Sequence, residues 1–190
     1  MKRVFVAGIV AVAMSAVPAL AAGASDQAAP SPKMSNRSAA DQTFVKKAAE
    51  GGMAEVELGK LAAEKAASPE VKQFGQKMMD DHGKANDQLK SLAQNKNITL
   101  PSDLSAKDKA LRDRLSKLSG AAFDRAYMRA MVTDHTKDVG DFRTESKAGG
   151  DADVKSWASN TLPTLESHLK MAKDADRAVG TSGSIPKTPK

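Results

Sequence analysis

Residues 62–82, "AAEKAASPEVKQFGQKMMDDH", decide the fold. Helical periodicity runs up to Ala67 and resumes after Pro69, and the Ser68-Pro69 pair splits the two stretches. Proline suits the first position of a helix, where the amide proton it lacks would have no partner, and serine just before it caps the new helix. So little chain lies between the two helices that they can only fold back as an antiparallel hairpin.

Helical periodicity continues on both sides. A first helix is predicted over 41–67 with Asp41 as N-cap, and a second over 69–94. A shorter amphipathic helix covers 105–118. Two further long helices cover 121–147 and 152–178, separated by Gly149-Gly150 and with Asp151 as N-cap of the last, in which Pro163 should introduce a kink. No stretch alternates as a strand would. The predicted fold is all-α: a ferritin-like four-helix bundle of two antiparallel hairpins, joined by a long crossover (about Asn95–Gly120) that carries the short helix.

The ends read differently. Residues 1–24 have Lys2 and Arg3 at the start, an apolar run from Val4 to Val17, and small residues at Ala19 and Ala21, the pattern of a secretory signal peptide. The apolar run falls short of the roughly 20 residues a spanning helix needs, and no later segment could span a membrane. This predicts export to the periplasm or the medium, with membrane association if the signal is retained as an anchor. Residues 25–40 read as a flexible linker, 41–178 as the folded domain and 179–190 as a disordered tail. There is no cysteine, hence no disulfide and no thiolate metal site. The net charge of +6 belongs to the ends: without Lys2, Arg3, Lys33, Arg37, Lys187, Lys190 and Asp26, acids and bases nearly balance. With aromatics at 4% and no basic block among them, nucleic acid is not an expected partner. Protein partners are left open, a homo-oligomer among them.

The chain has three histidines, one on each of three long helices. Because a helix turns about 100° per residue, each side chain can be placed on a wheel. His82 falls within the arc of Val71, Phe74, Met78 and Leu89; Asp80 points away and Asp81 lies at the edge. His135 falls among Tyr127, Met131 and Val139, and His168 among Val154, Trp157 and Leu165. The first helix offers Glu55, between the directions of Phe44 and Ala48. All four sit near the middle of their helices, so antiparallel packing should bring them to one level of the core. Glu55, His82, His135 and His168 suit a single zinc, iron or copper ion. The same four groups could instead hydrogen-bond one another as a structural polar network. Asp138 and Glu145 lie near the inner arc as further candidate ligands. Met78, Met131 and Met171 share helix faces with the histidines, which would suit copper. A di-iron centre would need paired Glu-x-x-His motifs, and none is present.

The stretches "AAEGGMAEVELGKLAAEKAASPEVKQFGQKMMDDH", "FDRAYMRAMVTDH" and "LPTLESHL" resemble DUF4142, an exported bacterial family of unknown function classed as ferritin-like. The resemblance covers Asp41 to Ala178. It implies the four-helix fold, export, and an acid at Glu55 with histidines at 82, 135 and 168; it implies no activity. No G-x-S-x-G turn or strand supports a hydrolase. The expected function is that of an exported helical protein of unestablished activity, serving binding or stress-related roles, whose inner Glu/His cluster is structural or a binding site; whether it is also an enzyme is left open. The alternative is a metalloprotein.

Overall fold

The computed structural model describes residues 32–181, and the side chains of 39–180. The signal segment 1–24, residues 25–31 of the linker and residues 182–190 of the tail lie outside the described residues. Within them the protein is all-α: α1 (Pro32–Lys65), α2 (Pro69–Asn95), α3 (Ala106–Ser116), α4 (Gly120–Ala148) and α5 (Ala152–Thr181). No described helix is long and apolar enough to cross a membrane.

The most extensive packing is α1 on α2 and α4 on α5, two hairpins that meet more sparsely along α1–α4 and α2–α5. Ser68 caps α2 through Val71 N–H, and Asp151 caps α5, accepting from Asp153 and Val154 N–H. Within the first hairpin the backbones approach closely at Gly75, where a Cβ would stand 2.6 Å from Ala62 Cβ and 2.9 Å from the Gly59 carbonyl oxygen. The helix of α5 runs on through Pro163. The crossover helix α3 lies against α1 and α4, with Leu115 fully buried.

One expectation is corrected. Asp41 does not start the first helix; α1 begins at Pro32, inside the stretch read as a linker. The Asp41 carboxylate is buried and reaches the other hairpin, where it accepts from Gly150 N–H at 3.0 Å and Asp151 N–H at 2.7 Å. A residue type suited to local capping is used here for a tertiary contact. Asp124, on α4, does the same in return: it accepts from Ala67 N–H at 3.1 Å and Ser68 N–H at 2.9 Å. Each hairpin's turn is thus held by a carboxylate of the other hairpin.

This reciprocity extends along the chain. Phe44 meets Trp157 and Phe74 meets Tyr127, both edge-on with centroids 6.1 Å apart. Aligning Asp41 with Asp124 also aligns Phe44 with Tyr127, Ser68 with Asp151, Val71-Lys72 with Val154-Lys155 and Phe74 with Trp157, all in constant register. The contacts are those of an isologous pair, in which each half presents the same patch to the other.

Removing one clamp leaves two backbone donors of a helix turn without their charged acceptor. Asp124→Ala is expected to lower stability by about 2 kcal/mol. Urea unfolding followed by circular dichroism measures this, and an unchanged midpoint would refute the clamp.

Candidate metal centre

The apolar core is divided by a polar layer. One cluster holds Leu58, Met78, Met131 and Ala172. Two others hold Ala49 and Leu89, and Val139 and Leu165. On every long helix the residue between the clusters is polar: Glu55, His82, His135 or His168. All four are buried, three of them with no exposed surface and His82 at 7%.

The three histidines converge. Their rings lie 5.4–5.7 Å apart, centroid to centroid. One ligand nitrogen of each lies within 4.8 Å of the others. The outer hydrogen bonds fix two of the tautomers. His135 Nδ1 lies 3.0 Å from the Met131 carbonyl oxygen, one turn back on α4. His168 Nε2 lies 2.8 Å from Asp81 Oδ2. A carbonyl and a carboxylate only accept, so these ring nitrogens carry the protons and the opposite ones carry lone pairs. Those opposite atoms, His135 Nε2 and His168 Nδ1, are buried without a hydrogen-bond partner among the described residues, as is His82 Nε2.

Burial, and then the neighbouring imidazoles, pushes His82 down to about 3. Burial likewise pushes His135 down to about 4 and lowers His168, whose bond to Asp81 works in the opposite direction. The rings are therefore neutral at physiological pH. Asp81 is held below its usual value although burial opposes this, because Lys77 (2.9 Å) and His168 both bond to it. Asp81 thus belongs to the site, a role the helix wheel did not reveal.

Glu55 shares the layer but not the point of convergence. Its Oε1 lies 3.6 Å from His135 Nδ1, too far for a hydrogen bond, and that nitrogen donates to Met131 instead. Burial, followed by repulsion from Asp134 and Asp138, raises its pKa well above the usual value and favours the uncharged acid. Asp138 is pushed up to about 7, chiefly by burial and then by Asp134, and it lines a small cavity together with His82. Glu145 stands at the far clamp, beside Asp41 and Gly149, away from the histidines.

In the arrangement as a whole, three neutral imidazoles meet, each offering one nitrogen within 4.8 Å of the others and each keeping one buried nitrogen without a hydrogen-bond partner among the described residues. A point equidistant from nitrogens 4.8 Å apart is roughly 2.8 Å from each, so shifts of under ~1 Å would give metal–imidazole distances of about 2.0–2.1 Å. A proton on the far nitrogen, donated to a carbonyl or a carboxylate, is the usual support for such a ligand.

No curated protein matches the chain by sequence. Among solved structures, it resembles a DUF305 fragment from Deinococcus radiodurans, with a TM-score of 0.64 at 14% identity, covering 75% of this chain and 96% of that one. A DUF305 protein from Streptomyces coelicolor gives 0.64 at 15%, covering 74% and 92%. CopM in its Cu(I)-bound form gives 0.61 at 17%, covering 73% and 96%. At these identities the likeness is one of fold, and it supports a helical bundle. The sequence model of the family described as "Domain of unknown function (DUF4142)" matches residues 23–175, most of the chain, and the protein belongs to that family.

Proposed function

We propose that this is an exported, ferritin-like metal-binding protein that holds one ion through His82, His135 and His168. The observation that carries the reading is the convergence of three buried histidines, which bring one ring nitrogen each within 4.8 Å of the others while one buried nitrogen on each ring lacks a hydrogen-bond partner among the described residues. An unpaired buried polar atom costs about 1–3 kcal/mol, and a single ion would satisfy all three at once. In a purely structural network these nitrogens would be bonded to protein groups. Glu55, the fourth expected ligand, stands behind His135 as an uncharged acid.

Among zinc, iron and copper, the donor set favours copper in the monovalent state. Three neutral nitrogens offer no charge to offset a dication in an apolar core, and the nearest anion, Asp81, is already shared with Lys77. Imidazole suits copper. The Cu(I)-bound CopM shows that a bundle of this general fold can hold that ion. Export rests on the signal-like residues 1–24.

Protein purified from periplasm without a histidine tag is expected to carry one equivalent of metal. His135→Ala should weaken binding at least ~100-fold, and Asp81→Asn, which leaves the ligands in place, about 10- to 100-fold. Elemental analysis and competition with chelators read both. A metal-free protein whose melting temperature ignores both Cu(I) and EDTA would establish the structural network instead.

The apo-protein makes a separate prediction. The native rings of His82 and His135 refuse protons that the unfolded chain takes up near 6.5. Stability rises with pH wherever the unfolded state binds more protons, so this pair's contribution is full above pH 6.5 and is lost as the pH falls toward about 4 for His135 and about 3 for His82. Ring nitrogen shifts in NMR should show both imidazoles still neutral at about pH 5. Titration of either one near 6.5 would contradict their burial.

A further inference from the structure

Two of the three histidines have no exposed surface, which leaves His82 as the ring nearest solvent. Against it lies a cavity of about 20 Å³, walled also by Gly52, Asn86, Asp138 and Thr161. That is room for one water or one small cation. Gly52 makes this wall what it is: a Cβ there would stand 2.0 Å from Asn86 Oδ1, so only glycine lets the amide lie over α1. On the outer side, Ala48, Asp138 and Phe142 also line a groove of about 450 Å³ between α1 and α4. The groove bears the acids Asp138, Asp141 and Glu145 against Lys47 and Lys137. Lys137 is tied to Asp141 at 2.5 Å.

The other approaches to the site are less suited to a cation. Helix α3 packs against both α1 and α4. On the α2–α5 side, the ammonium of Lys77 stands outside Asp81, which in turn bonds His168.

We propose that the α1–α4 groove is the route by which a metal ion reaches the histidines, with the side-chain oxygens of Asp138 and Asn86 as relay ligands between the groove and His82. The proposal rests on the metal-binding reading above. An ion that sheds its water needs replacement donors at each step, because bare charge is costly in an apolar medium. Asp138 supplies a carboxyl oxygen where groove and cavity meet. Asn86 supplies a neutral one inside, and His82 the first nitrogen.

The test is stopped-flow transfer of Cu(I), and separately of Zn(II), from a weak chromogenic chelator to the full-length apo-protein. Ala48 is half-buried and lines both the groove and the small cavity, so Ala48→Leu narrows the passage between them. Loading should slow about 10-fold in Ala48→Leu and about 3-fold or more in the isosteric Asp138→Asn, with equilibrium affinity kept within about 3-fold. Ala175→Leu, in the α2–α5 groove, is the control and should load at the wild-type rate. Wild-type rates in both Ala48→Leu and Asp138→Asn overturn the route. So does a loss of affinity that matches the loss of rate, which would make Asp138 a ligand. If Ala48→Leu fails to fold, Asp138→Asn decides alone. If the wild-type chain takes up no stoichiometric metal, the site itself falls and the route with it, a result distinct from any rate change.

Discussion

Two carboxylates set the register of the bundle. The hairpins are tightly packed within themselves and more sparsely against each other, so apolar contact alone would leave their relative slide weakly determined. Asp41 and Asp124 remove that freedom. Each binds two backbone amides at the turn of the opposite hairpin, a fork that tolerates little displacement. The edge-on aromatic pairs beside the clamps complete the fit.

The histidine layer depends on that register. His82 comes from the first hairpin, His135 and His168 from the second, and they meet only if the hairpins are aligned along their length. A slip of one helical turn, about 5.4 Å, would place His82 against an apolar cluster and leave its ring polarity unanswered. The cross-hairpin bond from His168 to Asp81 fastens the same level. Framework and site thus constrain each other: the turns are clamped at the ends and the polar layer is pinned in the middle.

Much of this was legible in the sequence. Ser68-Pro69 and Gly149-Gly150 mark the turns through local backbone chemistry, and the helices fall where periodicity places them. The wheels put His82, His135, His168 and Glu55 inside, and all four are buried. A wheel gives a direction on one helix; it does not give the partner on the next. For that reason Asp81, at the edge of its arc, could not be seen to reach His168, and Glu55 could not be seen to stand by His135 Nδ1, the nitrogen that bonds Met131, under the influence of Asp134 and Asp138. Asp41 was misread because a carboxylate near a helix start satisfies a local rule, whereas here the donors it serves are far along the chain. The repeat between the hairpins was hidden because few identities remain, chiefly the two aspartates and Val-Lys after each turn.

That repeat gives the small cavity a meaning. In its register, His135 corresponds to Gly52, His168 to Ala85, and His82 to Leu165. Those three counterparts all line the cavity beside His82. The space is therefore the mirror berth of the histidine triad: at the positions equivalent to the three imidazoles it presents a hydrogen atom, a methyl group and an aliphatic chain. Glu55 and Asp138 alone keep the pairing, as acids on both sides. A scaffold built twice has furnished only one of its two chambers, and the unfurnished one is left as the antechamber of the other.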